Sequence, residues 1–108
     1  MANTYKILYQ GQLPSSVGVL ATVPAAKEWI AKTMEVVNND TTSAHTFSLY
    51  QNGGTATHII TPTAVSIPAG GAWQRDRVSM TFNTADTLQG VASTASQLTM
   101  TMWGDEIG

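Results

Sequence analysis

His45 and His58 are the only imidazoles in a chain without cysteine, so metal or acid–base chemistry would have to begin with them. Between them lies Asn52-Gly53-Gly54, a triplet that tolerates the positive φ of a tight turn. A hairpin pairing Phe47–Gln51 with Thr57–Ile60 would then bring the two rings onto neighbouring strands. Two imidazoles still need a third ligand, such as Asp40 or Asp86, and no zinc-type spacing is present. The expectation is therefore two half-exposed histidines beside a hairpin, with no metal and no cofactor. Asp105 and Glu106 are adjacent carboxylates, but neighbours in an extended chain point to opposite faces and make a poor acid–base pair. Ser15-Ser16 lacks the strand–turn–helix setting of a nucleophilic serine. Gly53-Gly54 and Gly70-Gly71 are followed by no Lys-Ser/Thr and read as turns, not phosphate cradles. No catalytic residue is assigned, and an enzyme is not expected.

The remaining candidates bind rather than react. Arg75-Asp76-Arg77 is the one dense polar cluster. In a strand Arg75 and Arg77 share a face, where they would either block unwanted strand pairing or form salt bridges to another subunit. Asp105 or Glu106 of a second copy is a natural acceptor, because guanidinium groups grip carboxylates with two parallel bonds. Trp29, Trp73 and Trp103 are the other candidates. Three indoles are hard to bury in so small a core, and exposed tryptophan is a common interface anchor. Trp29 and Trp103 fall on strand faces opposite the expected core residues, so contact with another chain is expected first of Trp103, then of Trp29 and Trp73.

Composition points the same way. Of the 108 residues, 43% are hydrophobic and only 11% are charged, against about 25% charged in an average protein. Polarity comes instead from Thr, Ser, Asn and Gln, which suit a sheet surface but supply little of the repulsion that keeps monomers apart. A working surface made largely of contact with other protein is expected, with a closed homo-oligomer, dimer or trimer. A net charge of −2 with only five cations gives no basic patch of the kind nucleic acid requires. No apolar run approaches the ~20 residues that span a bilayer. The segment Met1–Lys6 shows no basic stretch leading into an apolar one, so a signal peptide is not expected.

The elements that must carry these residues are strands. Leu98, Met100 and Met102 alternate with Thr99, Thr101 and Trp103, the period-two mark of a half-buried strand. Val78, Met80 and Phe82 repeat the pattern, with Ser79 and Thr81 facing outward. Over Glu28–Asn38, Ile30, Lys32, Met34 and Val36 share one face, while Trp29, Ala31, Thr33, Glu35 and Val37 share the other. The stretch Pro24–Lys32 also has helical propensity, but the alternation running into Asn38 favours a strand from Glu28. Further strands are indicated at Thr4–Gln10, Val17–Val23, His45–Gln51, Thr57–Thr61, Ala64–Ile67 and Thr87–Ser93, separated by Pro, Gly, Asn and Asp turns. Eight or nine short strands at this spacing predict a single all-β domain over residues 1–108. The predicted architecture is an antiparallel, jelly-roll-like β-sandwich. Its core would hold Ile30, Met34, Val36, Phe47, Leu49, Val78, Met80, Phe82, Leu98, Met100 and Met102.

Several local words are familiar. Ala2-Asn3-Thr4-Tyr5-Lys6-Ile7-Leu8 opens the chain, and Thr22-Val23-Pro24-Ala25 precedes the strand ending in Val37-Asn38-Asn39. Ala85-Asp86-Thr87-Leu88, Val91-Ala92-Ser93-Thr94-Ala95 and Trp103-Gly104-Asp105-Glu106-Ile107 follow. In this order the chain resembles a group of short proteins encoded among tailed-phage structural genes. It departs from them at Lys32, where an inward-facing position is expected, and at Trp103, where another aromatic is more usual. The resemblance implies a non-enzymatic, β-rich virion component, assembled in the host cytoplasm, whose partners are capsid or tail subunits. Capsid decoration is the leading expectation. The alternative is a tail-associated fibre or host-adhesion module that binds a surface glycan through exposed Trp and the loops near Asn52-Gly53-Gly54 or Gly70-Gly71.

Overall fold

Alternating apolar and hydroxyl-bearing residues leave each strand one face to bury, and two sheets packed face to face satisfy that need. The computed structural model describes residues 3–76 and 79–108 and realises this arrangement. One sheet runs in the order β1 (Asn3–Gln12), β9 (Leu98–Ile107), β3 (Glu28–Asn38), β6 (Ala72–Arg75), with β7 (Met80–Phe82) also paired to β3. The other runs β2 (Gly18–Thr22), β8 (Thr87–Ala92), β4 (His45–Gln51), β5 (Val65–Ile67). Every strand pairing is antiparallel. The molecule is an all-β sandwich of nine strands, as the alternation indicates.

One hydrophobic cluster fills the space between the sheets. The first sheet supplies Trp29, Ala31, Met34, Val36, Phe82, Leu98, Met100 and Met102, and the second Phe47, Leu49, Ile67, Leu88 and Ala92. Phe47 of β4 meets the Trp73 ring of β6 edge-on, with centroids 5.2 Å apart. That geometry favours the aromatic quadrupoles and ties one sheet to the other. Most of the expected core residues are buried, and the departure at Ile30 has a local cause.

That cause is a β-bulge in β3. Ala31 faces Gly104 of β9 and Thr33 faces Trp103, so Lys32 between them has no partner. An extra residue in one strand inverts the side-chain alternation on either side of it. Met34 and Val36 therefore point inward as expected, whereas before the bulge Trp29 and Ala31 point inward and Ile30 does not. Lys32, expected to face the core, is exposed. Ile30 is half-buried on the outer surface, and Met80 is half-buried at the core margin. Val78 lies outside the described residues.

One further expectation needs correction. Thr57–Thr61 forms no strand: Ala56–His58 is a short 3-10 turn, and the hairpin is reduced to a single bridge between Tyr50 and Ile59. The strand expected from Glu28 is present as β3. Pro24 begins a tight turn closed by the Lys27 N–H on the Pro24 carbonyl at 3.2 Å, with Ala26 at φ 61°, and β3 starts directly after it.

Candidate interaction surface

Cross-strand register sorts the outer face of the β1–β9–β3 sheet into rows. Asn3, Ile107 and Glu28 stand side by side, then Tyr5, Asp105 and Ile30, then Ile7, Trp103 and Thr33. Tyr5 is 62% exposed and Ile7 47%, while Ile30, Trp103 and Ile107 are half-buried beside them. Beyond this level β1 also bulges, since Ile7 faces Trp103 and Tyr9 faces Met102, leaving Leu8 unpaired and inward. The rows that follow are polar apart from Val37: Gln10, Thr101 and Glu35, then Gln12, Thr99 and Val37. Gln10 Nε2 donates to Thr101 Oγ1 at 3.1 Å. One end of this face is thus apolar and the other amide- and hydroxyl-bearing. The outer face of the second sheet carries Val19 in a row with Gln89 and Tyr50. Val19 is 57% exposed and the neighbouring Val17 46%.

Two pairs of charges beside the apolar rows are matched within the chain. Lys32 Nζ lies 3.0 Å from Asp105 Oδ2 on the outer face. On the opposite face Glu106 accepts the Trp29 indole N–H at 2.9 Å, and Lys6 Nζ lies 3.4 Å from its other oxygen. The Trp29 N–H above all, with Lys6 second among the favourable partners, holds the Glu106 carboxyl below its ordinary range. Hydrogen bonding to the charged form produces this shift. The two adjacent carboxylates do point to opposite faces.

The residues singled out in the sequence therefore separate. Trp29 is buried in the chain's own core against Phe82, at a centroid distance of 6.4 Å. The bulge at Lys32 turns it inward, and it offers no contact surface. Trp73 packs into the core edge on Phe47. Arg75 lies over the Trp73 ring at 5.3 Å, a cation–π contact, and donates to the Ile60 carbonyl at 2.9 Å. Arg77 lies outside the described residues. Trp103 alone of the three indoles stands on the outer face within an apolar row. Sequence reasoning missed Tyr5, Ile7, Val17 and Val19. The signal for the first pair was an uncharged-to-apolar alternation in the opening strand with no complementary polar outer face.

The histidines do not converge. His45 Nε2 lies 2.9 Å from Asp40 Oδ2, and Asp40 also accepts from the Thr42 N–H and hydroxyl and the Ser43 N–H. Chiefly the Thr42 N–H, then His45, drives the Asp40 carboxyl far below the usual carboxylate range. His58 instead donates from Nδ1 to the Gln51 carbonyl at 3.0 Å. Asp86 is taken by the Asn83 N–H at 2.7 Å. Among the described residues no three His, Cys, Asp or Glu side chains gather where they could hold a metal. Two shallow open depressions exist. One is mostly apolar, between Phe47, Ala64 and Ala92, and the other is lined by Gln51, Asn52, Thr57, His58, Ile59 and Ile60.

No protein-family model and no curated protein matches the chain. Two solved structures, both described as a pentameric capsid protein isolated from metagenomic phage sequences, align with it at 15% identity and a TM-score of 0.34. The alignments cover 95% of this chain but 64% and 62% of those proteins, so this chain spans less than two thirds of their length. At that TM-score the likeness is too distant to carry an argument about fold or activity.

Proposed function

We propose that the chain is a non-enzymatic structural protein of a tailed-phage virion, and that it decorates the capsid. The supporting observation is the apolar end of the outer β1–β9–β3 face, where Tyr5, Ile7, Ile30, Trp103 and Ile107 stand together, with Lys32 paired to Asp105 and Lys6 to Glu106. Contiguous apolar side chains of this kind mark contact surfaces in soluble proteins. Connectivity supports the reading too. The order β1-β9-β3-β6 opposite β2-β8-β4-β5 is the one a jelly-roll path would give, and that architecture is common in virus shells. β6 and β7 share one strand position by pairing with different halves of β3. A rigid sandwich laid across a seam between shell subunits adds contacts that oppose opening under internal pressure, and symmetry multiplies a modest interface many times.

Purified protein mixed with undecorated heads should bind saturably and raise their resistance to heat and low salt. Trp103→Ala should weaken binding by about 30-fold, the effect of losing an interface anchor worth about 2 kcal/mol. Absence of both saturable binding and added resistance would sink the proposal. A tail-associated fibre or adhesion module is the second reading, favoured by the amide, hydroxyl and imidazole groups around the Asn52–His58 depression. A few copies per particle, with glycan binding lost in His58→Ala, would establish that reading instead.

A further inference from the structure

The two lateral sides of the sandwich are finished differently. At one side lie β5, three residues long between Pro62 and Pro68, and the short β6 and β7, with Arg75 closing β6. Short strands, prolines and charge are the usual means of preventing edge-to-edge pairing. At the other side lie β1 and β2, in contact with each other across the sandwich. β1 is ten residues long and pairs, among the described residues, only with β9; β2 pairs only with β8. Neither strand contains proline, and the sole charge on the two is Lys6, which Glu106 neutralises within the chain. Among the described residues, the four large hydrophobic side chains most exposed, Tyr5, Ile7, Val17 and Val19, all belong to these strands or their approach. Long, uncharged and apolar, this side has none of the protection given to the other apart from its bulges.

We propose that β1 pairs antiparallel with β1 of a second copy, joining two sandwiches side by side into a twofold dimer. An antiparallel strand is self-complementary, so one strand supplies both the donors and the acceptors that its symmetry mate needs. A twofold axis perpendicular to the sheets brings β1 to β1 and β2 to β2 together. Pairing about that axis brings Tyr5 opposite Ile7 of the second copy on one face, and Val17 opposite its Val19 on the other, as cross-strand neighbours. Charge permits this, because Lys6, the only cation on the edge, is already paired with Glu106 of its own chain. Area permits it as well. Ten strand residues span ~33 Å, and over the molecule's smallest extent of 20 Å that outline approaches the ~800 Å² each partner gives to a stable interface. The dimer deepens the expectation of a homo-oligomer and does not depend on any capsid partner.

The test uses purified full-length chain alone, so its failure leaves the virion reading untouched. Sedimentation should give twice the chain mass, and amide exchange in β1 should slow as concentration rises, a signature that packing through an outer face would not produce. A double variant carrying Tyr5→Lys and Ile7→Lys should be monomeric, as should its counterpart carrying Tyr5→Glu and Ile7→Glu. An equimolar mixture of the two should recover the dimer, which shows that both fold and that the edges meet each other. A monomeric wild-type chain at micromolar concentration, or a dimer indifferent to both double variants, would overturn the proposal.

Discussion

The two ends of the sandwich are held in different ways. At one end the buried Asn38 side chain, 1% exposed, donates from Nδ2 toward the Ser43, Ile67 and Pro68 carbonyls and accepts the Asp40 N–H on Oδ1. Asp40 then collects Thr42, Ser43 and His45. This end is tied by neutral and charge-assisted bonds, most of them to backbone and most of them within the loop and β5. At the other end the ties run between distant strands through long side chains: Lys6 to Glu106, Trp29 to Glu106, Lys32 to Asp105. Its outer rows are left apolar. A loop end fastened to its own backbone has no surplus for a partner, whereas the strand end keeps its largest side chains outside. Cohesion and contact are thus assigned to opposite ends of the same strands.

Substitutions should break this division in a graded way. Trp29→Ala removes the aromatic that fills the strand end and strands the Glu106 carboxylate, and should cost about 3–5 kcal/mol in a urea melt. Asn38→Ala leaves several buried groups of the loop end without partners. It should cost about 2–3 kcal/mol, with amide exchange rising first around Ser43 and Ile67. Both ends should weaken in acid. The folded-state pKa values of Asp40 and Glu106 lie below their unfolded ones, so their stabilisation is complete above the ordinary carboxylate range and fades as pH falls through the folded values. Asp40→Asn should flatten the acid limb of a Tm–pH curve more than Glu106→Gln does, because Asp40 is shifted further. Smallest of all, Lys32→Ala disrupts only a surface ion pair and should change stability by less than about 1 kcal/mol. A loss above 2 kcal/mol there would mean that the strand end depends on its charges as heavily as the loop end does.

Much of this was legible beforehand because period-two alternation survives burial unaltered. β3 and β4 begin and end where the pattern does, and Leu98, Met100 and Met102 are all buried. What the alternation could not reveal was its own interruption. A bulge leaves no mark in residue type, and Lys32, which looked misplaced in an inward position, was the sole hint that the parity changes there. Trp29 was therefore assigned to the wrong face and Trp103 to the right one. The turns were legible where Asn52-Gly53 or Pro68-Ala69-Gly70 marks them, but Ala26, Ala64 and Ala85 also adopt positive φ, which alanine does not advertise. The candidate surface was foreseen only at Trp103, since edge exposure depends on which strands pair and not on composition.

The bulges at Leu8 and Lys32 lie on either side of β9 and flank the level of Trp103. In each case the pairs before and after the extra residue already alternate in step with β9. Deleting the codon for Leu8 or for Lys32 would therefore close the ladder with the same residues still in oil and the same still in water, whereas deleting a paired neighbour would slide half a strand against β9. Descendants of this chain can shed either extra residue independently, a tolerance written in length rather than in residue identity.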